Sequence, residues 1–84
     1  MTIDEIIKEL DAFVRERFEI TDDDPDYSED VNLFDYGYVD SLGAVEIINF
    51  VESRFGCEIS QRDISMYPMD TVREIAQVVE TKLG

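Results

Sequence analysis

The residues that could most readily take part in chemistry are Asp40, Ser41 and Leu42. They lie where a loop leads into an apolar, periodic segment. A serine hydroxyl becomes a good nucleophile when a neighbouring base takes its proton, but the chain contains no histidine to serve as that base. One interpretation is that Ser41 is part of a helix cap, because Asp and Ser side chains accept hydrogen bonds from the first turn of a helix. The other interpretation is that Ser41 is an attachment point for another group.

Two observations favour attachment. Asp40 precedes Ser41 and can cap the helix by itself, so capping does not require the serine. The segment after Ser41 also has more apolar surface than burial against a core requires, which predicts either deep burial or an exposed apolar strip for a partner. Its apolar positions are Leu42, Ala44, Val45, Ile47, Ile48, Phe50, Val51 and Phe55.

The acidic run between residues 21 and 30 invites comparison with a calcium-binding loop. An EF-hand loop that started at Asp22 would have Tyr27 at the position that needs glycine and Leu33 at the position that needs a bidentate glutamate. The pattern fails at both discriminating positions. We therefore expect no specific metal site, and we interpret the run as a solvated surface.

Cys57 is the only cysteine, so no disulfide can form within the chain. Its acidic sequence neighbours Glu52 and Glu58 disfavour a thiolate, and we interpret Cys57 as a small, partly apolar side chain. The N-terminus lacks the pattern of a signal peptide, and no apolar run approaches the length of a membrane span. We expect a cytoplasmic protein.

The charge balance limits the partners. The 84 residues include 7 Lys and Arg against 21 Asp and Glu, which gives a net charge of −14. This charge repels nucleic acid phosphates and anionic lipid surfaces, so neither is an expected partner. Proteins with basic patches are the natural complement.

Helical periodicity predicts the elements that must position Ser41. The first helix runs from about Ile3 to about Phe18 and opens with a capping box of Thr2 and Glu5. The last helix opens with a second capping box, which is formed by Thr71 and Glu74.

The second helix is predicted to begin at Ser41, with Asp40 as its N-cap and Gly56 just beyond its end. A short third helix is predicted near Gln61 to Met66, because Pro68 limits any longer one.

The long first loop lies between the first and second helices, and Val31, Leu33 and Phe34 are expected to fold back from it onto the core. Gly37 would allow a tight bend at its end. No segment alternates long enough to require a strand. The prediction is an all-α, four-helix bundle, which forms one domain over residues 1–84 and is monomeric.

The stretch "LFDYGYVDSLGAVEIINFVESRFGCEIS" resembles the central segment of acyl and peptidyl carrier proteins. Leu33-Phe34-Asp35 ahead of Gly37, and Phe55-Gly56 with Glu58-Ile59 behind, stand where that family has similar residues. The spacing of all four helices agrees with the family, so the resemblance extends over essentially the whole chain.

In that family, the serine of an Asp-Ser-Leu motif is esterified with 4′-phosphopantetheine from coenzyme A. The resemblance implies that Ser41 holds this arm covalently, and that Asp40 and Leu42 belong to the surface read by the phosphopantetheinyl transferase. The arm's thiol would hold an acyl or aminoacyl group as a thioester. The chain would then be a carrier and not an enzyme.

The resemblance also implies a partner surface on the second helix, formed by Leu42, Val45, Glu46 and Glu52, with the two glutamates meeting basic residues. The partners would be the transferase, a loading ligase, and downstream synthase or transferase enzymes. Core positions implied by the resemblance are Ile47, Val51, Phe55 and Ile59.

Some residues depart from the pattern of fatty-acid carriers. Gly43 stands where those carriers usually have an acidic residue, and the second helix includes Asn49 and Arg54. With Tyr36 and Tyr38, the "DSLG" motif is more similar to stand-alone aminoacyl or peptidyl carriers, including D-alanyl carriers, or to carriers of specialised polyketide or nonribosomal peptide pathways.

The chain begins with Met and ends soon after the last helix, so we expect a discrete carrier. A fatty-acid-synthesis carrier is the alternative within the family. The alternative from another class is an acidic interaction or cation-binding module in which Ser41 only caps a helix.

Overall fold

The computed structural model describes residues 1–84 and contains four α-helices and no strand. Helix α1 spans Ile3–Arg17, α2 spans Ser41–Phe55, α3 spans Gln61–Met66 and α4 spans Val72–Leu83. The predicted all-α, four-helix fold with a short third helix and a long first loop is confirmed. No helix combines the length and the apolar character that a bilayer crossing requires.

Local sequence signals determine where the helices begin and end. Both predicted capping boxes are present, one between Thr2 and Glu5 and one between Thr71 and Glu74. In each box the two residues exchange hydrogen bonds, which satisfies two donors that the first turn leaves unpaired. Gly56 ends α2 in the left-handed conformation at φ 67°, which a residue without a Cβ adopts at little cost.

A single apolar core lies between the helices. Helix α1 packs mainly against α4, and α2 contributes one face. The four residues that were predicted as core positions from the second helix onward are all buried. They are Ile47, Val51, Phe55 and Ile59.

Helices α1 and α2 run antiparallel, and three side-chain pairs connect them. An aromatic pair with ring centroids 4.0 Å apart lies in the middle, and an Arg–Glu ion pair lies at each end. The pairs, in order from the start of α2, are Arg17–Glu46, Phe13–Phe50 and Glu9–Arg54. This order places the end of α1 beside the first turn of α2.

The long first loop is fixed to the bundle by buried residues and backbone hydrogen bonds. Val31 and Leu33 are buried, as predicted, and the Leu33 N–H donates to the Asp70 carbonyl at 2.8 Å. The prediction was wrong for Phe34, which is 38% exposed. The Asn32 side chain accepts the Phe34 N–H in a turn, and Phe34 then lies at the edge of a surface cleft instead of in the core.

A buried tyrosine connects the same loop to α1. The Tyr27 hydroxyl donates to Asp11 at 2.6 Å, and the Arg15 guanidinium lies 4.4 Å from the centre of the Tyr27 ring. Burial, together with the carboxylate of Asp11, raises the pKa of Tyr27, so its hydroxyl stays protonated as a donor.

Helix α3 is held by a capping box that the sequence prediction did not include, between Ser60 and Asp63. The Lys82 Nζ lies 2.7 Å from the same Asp63 carboxylate and thereby joins α3 to the end of α4. Hydrogen bonds from Lys82 and Ser60 lower the pKa of Asp63 to about 2. The apolar side chains of Ile64 and Met66 are exposed on this helix.

Candidate functional site

Ser41 is the first residue of α2, and its side chain is exposed. Asp40 is the N-cap, as predicted: its side chain accepts the Gly43 N–H at 2.8 Å, and its carbonyl accepts the Ala44 N–H at 2.9 Å. The Ser41 hydroxyl makes no hydrogen bond to the protein, and the N–H groups of Ser41 and Leu42 have no acceptor. The serine is therefore free of any capping role.

Close packing explains why Gly43 follows the Asp-Ser-Leu motif. A Cβ at this position would lie 2.7 Å from the Phe18 ring and 2.9 Å from a methyl group of Val39. Only a residue without a side chain lets the first turn of α2 approach α1 so closely. The departure from the acidic residue of fatty-acid carriers thus has a steric cause in this chain.

The apolar surplus of α2 is exposed on one side of the helix. Leu42 is 77% exposed and Val45 is 55% exposed, whereas Ile47 and Val51 on the other side are buried. Of the two predicted outcomes, deep burial and an exposed strip, the structure shows the strip. It starts one residue after Ser41.

The two glutamates of the implied partner surface both have partners within the chain. Glu46 accepts from the Arg17 guanidinium at 2.6 Å, and both side chains are partly exposed. Glu52 accepts the Ile59 N–H at 2.9 Å and so fixes the segment that follows α2. Each carboxylate still has an oxygen that can accept a further hydrogen bond.

The loop before Ser41 bends at Gly37, where φ is 75°, and the predicted bend is confirmed. The Tyr38 hydroxyl donates to Asp24 at 3.0 Å, while the neighbouring Tyr36 ring is exposed. Asp24, a member of the acidic run, thus helps to hold the first loop in its conformation. No group of three or more acidic or cysteine side chains is arranged to hold a metal ion.

An apolar cleft of about 400 Å³ opens between α2, α3 and the loop that follows α3. Most of the side chains around it are apolar, among them Ala44, Ile48, Ile64 and Met66, and Phe34 lies at its edge. Cys57 lies elsewhere, is partly buried, and has a pKa raised mainly by burial. Its thiol is therefore mostly protonated near neutral pH.

A four-helix bundle that carries an exposed, unbonded serine directly after the N-cap of a helix defines a protein that can present an attached group. Residues 8–79 match the family model described as "Phosphopantetheine attachment site". The chain belongs to this family, the acyl and peptidyl carrier proteins.

The chain is also similar to curated proteins of this kind. It is 35% identical over 82 residues to the D-alanyl carrier protein of Streptococcus pyogenes serotype M5, and this alignment covers 95% of this chain and 94% of that protein. It is 32% identical over 62 residues to D-alanyl carrier protein 1 of Lactiplantibacillus plantarum, which covers 74% of this chain and 78% of that protein. No solved structure matches the chain.

Membership in this family establishes the cofactor, 4′-phosphopantetheine, and a carrier role without catalysis. The family interacts with a transferase and with a loading ligase. The residues at the start of α2 fit the phosphate of this group, because the N–H groups of Ser41 and Leu42 are unpaired at the positive end of the helix dipole. The phosphopantetheine thiol holds the cargo as a thioester.

Sequence reasoning predicted that α2 begins at Ser41 with Asp40 as its N-cap, but it missed two contacts around these residues. These are the contact between Phe18 and Gly43 and the ion pair between Arg17 and Glu46. Both join residues that are far apart in sequence. The only sequence signal was the unexpected glycine, which indicates a close approach without naming what approaches.

Proposed function

We propose that Ser41 is the attachment residue and that residues 1–84 form one discrete carrier domain. The observation that carries the proposal is the exposed Ser41 hydroxyl, which has no hydrogen-bond partner, because Asp40 and not Ser41 is the N-cap of the helix. Asp40 and Leu42 flank the serine and would be read by the transferase. Within the family, we propose that the chain carries an aminoacyl group.

The attachment step requires only the hydroxyl from this chain. Ser41 Oγ attacks the phosphorus of coenzyme A that bears the pantetheine, and a new P–O bond forms while the pyrophosphate bond breaks. Adenosine 3′,5′-bisphosphate leaves, and the serine proton passes to a base of the transferase. A chain without histidine can be the substrate of this step, because the base belongs to the other protein.

Two features bear on the cargo. The named relatives are D-alanyl carrier proteins, which favours a D-alanyl or similar aminoacyl cargo in a specialised pathway. The apolar cleft between α2 and α3 favours the second candidate, a carrier for a longer acyl chain such as those of fatty-acid synthesis. An aminoacyl group has little apolar surface to bury in such a cleft.

The partner surface proposed for the loading ligase and the downstream synthase or transferase enzymes lies on α2. Leu42 and Val45 supply exposed apolar area at its centre, while Glu46 and Glu52 would attract basic patches. The net charge of −14 supports protein partners over nucleic acid or membranes. A monomer in the cytoplasm is the proposed state.

The test is the intact mass after incubation with coenzyme A, magnesium and a broad-specificity phosphopantetheinyl transferase. The wild type should gain one phosphopantetheine, and Ser41→Ala should gain nothing while it keeps the helical spectrum of the wild type. Ser53→Ala is the matched control, because Ser53 is an exposed serine of the same helix.

A wild type that stays unmodified beside a working control carrier would contradict the proposal. The chain would then be better described as an acidic interaction or cation-binding module, with Ser41 an ordinary first residue of a helix.

A further inference from the structure

A second depression, distinct from the apolar cleft, borders the start of α2 on the side of α1. We call it the α1/α2 groove; its volume is about 330 Å³. Asp40 and Leu42, which flank Ser41, both contribute to it, and Gly43 forms part of its floor. The groove therefore borders the two neighbours of the proposed attachment residue and extends to the end of α1.

The groove combines charged and apolar side chains. Arg17 is its only cation, while Asp40 and Glu46 are its anions, and Phe18 and Tyr38 supply aromatic surface. Two carboxylates alone would repel a phosphodiester. Among the side chains of this groove only Arg17 can attract an anion, and it would act together with the unpaired N–H groups of Ser41 and Leu42.

Arg17 has the capacity for such a contact. Its guanidinium uses one nitrogen, Nη2, in the ion pair with Glu46, and the rest of its donors have no acceptor. A guanidinium has a planar set of five N–H donors that suits phosphate oxygens. The pair with Glu46 is exposed on both sides, so exchanging that partner for another anion costs little.

We propose that the α1/α2 groove is the resting site of the proximal part of the phosphopantetheine arm, with Arg17 exchanging Glu46 for the phosphodiester on Ser41. This inference rests on the proposed function of Ser41. Phe18, Tyr38 and Leu42 suit the geminal dimethyl group of pantetheine, and the carboxylates of Asp40 and Glu46 suit its amide N–H groups.

The exchange has a consequence for partners. When Arg17 binds the phosphodiester, the Glu46 carboxylate loses its partner within the chain and becomes free for a basic residue of another protein. The unmodified and modified forms then differ in the charge that α2 presents. A partner that contacts Glu46 can thereby distinguish the two forms.

The test compares amide ¹H–¹⁵N chemical shifts of the unmodified protein with those of the protein carrying the free arm. Residues 40–43 are left out, because they must respond to any modification of Ser41. We expect the largest differences at Phe18, Tyr38 and Glu46, and small ones at Ile64 and Met66 beside the apolar cleft.

Three variants make the test specific. Arg17→Gln should reduce the groove differences by about half or more, because it removes the charge-assisted hydrogen bond. Arg54→Gln is the matched control, since Arg54 forms the other α1–α2 ion pair and is about equally exposed, at 49% against 52% for Arg17. Glu46→Gln should increase the differences, because it releases Arg17 from its competitor.

The outcomes separate the two proposals. If no variant and no wild type gains the arm by mass, the proposed function of Ser41 fails and this inference fails with it. If the arm is attached but the shift differences lie at Ile64 and Met66, or are unchanged in both Arg17→Gln and Glu46→Gln, only the groove inference is overturned. The opposite signs expected for these two variants keep the result independent of a general loss of folding.

Discussion

At the residue scale, Gly43 determines how Ser41, the proposed attachment residue, is positioned. It lies directly after Leu42 and lets the first turn of α2 contact Phe18 and Val39. A side chain here would have to push α2 away from α1 or displace the Phe18 ring. The position of Ser41 therefore depends on an aromatic residue at the end of another helix.

We expect Gly43→Ala to destabilise the protein by about 1–3 kcal/mol, because an added methyl group overpacks this contact. The better helix propensity of alanine, about 1 kcal/mol, opposes the effect only in part. The measurement is urea unfolding followed by circular dichroism. In a Phe18→Ala background the same substitution should cost less, because the 2.7 Å contact is gone. An equal cost in both backgrounds would contradict the steric explanation.

At the element scale, α3 is joined to the end of α4 by one ionic contact. Its N-terminal carboxylate, Asp63, receives hydrogen bonds from Ser60 and from Lys82 of α4. The helix has only six residues, too few to be stable alone, and its apolar side chains are largely exposed. We therefore expect the Asp63–Lys82 pair to contribute to holding α3 beside the apolar cleft.

This contact predicts an effect of pH. The pKa of Asp63 is lowered to about 2 in the folded protein, against about 3.9 in an unfolded chain. A lowered folded-state pKa adds stability above the unfolded value, and that stability is lost as pH falls from about 4 to about 2. Asp63→Asn should remove this part of the acid dependence of the unfolding midpoint.

The control for Asp63→Asn is Asp23→Asn, which removes an equal charge from an exposed loop position that forms no ion pair. Subtracting the effect of this control corrects for the stability that any strongly acidic protein gains when its carboxylates are protonated. If the stability of the wild type and that of Asp63→Asn change in parallel between pH 4 and pH 2, the ion pair does not contribute to the pH dependence.

Helix boundaries were predictable from the sequence because their signals are local. Thr2–Glu5 and Thr71–Glu74 are capping boxes that three-residue spacing reveals, and Asp40 before Ser41 is equally visible. The Ser60–Asp63 box has the same spacing and could have been found in that way. The outward position of Phe34 could not, because the turn at Asn32 is held in place by the hydrogen bond between Leu33 and the distant Asp70.

At the scale of the whole molecule, charge is the dominant feature. Five of the seven basic side chains already form ion pairs within the chain, and only Lys8 and Arg62 do not. Most of the 21 acidic side chains therefore have no cationic partner. Net repulsion among them opposes the compact state.

We expect the melting temperature to rise with added sodium chloride, because salt shortens the range of this repulsion. Salt also weakens the surface ion pairs, but each of those contributes little. The measurement is thermal unfolding over a salt series, with sucrose as a control that stabilises without screening charge. A melting temperature that stays constant or falls in salt would contradict the repulsion argument.

The partly buried thiol of Cys57 matters for a protein whose work depends on sulfur chemistry. A carrier with a thioester on its arm has one other sulfur that could accept the acyl group, and transfer to it would strand the cargo on the polypeptide. Burial raises the pKa of Cys57 and keeps it in the unreactive thiol form. We therefore expect self-acylation at Cys57 to be slow, so that the cargo stays on the thiol of the arm, from which an enzyme can collect it.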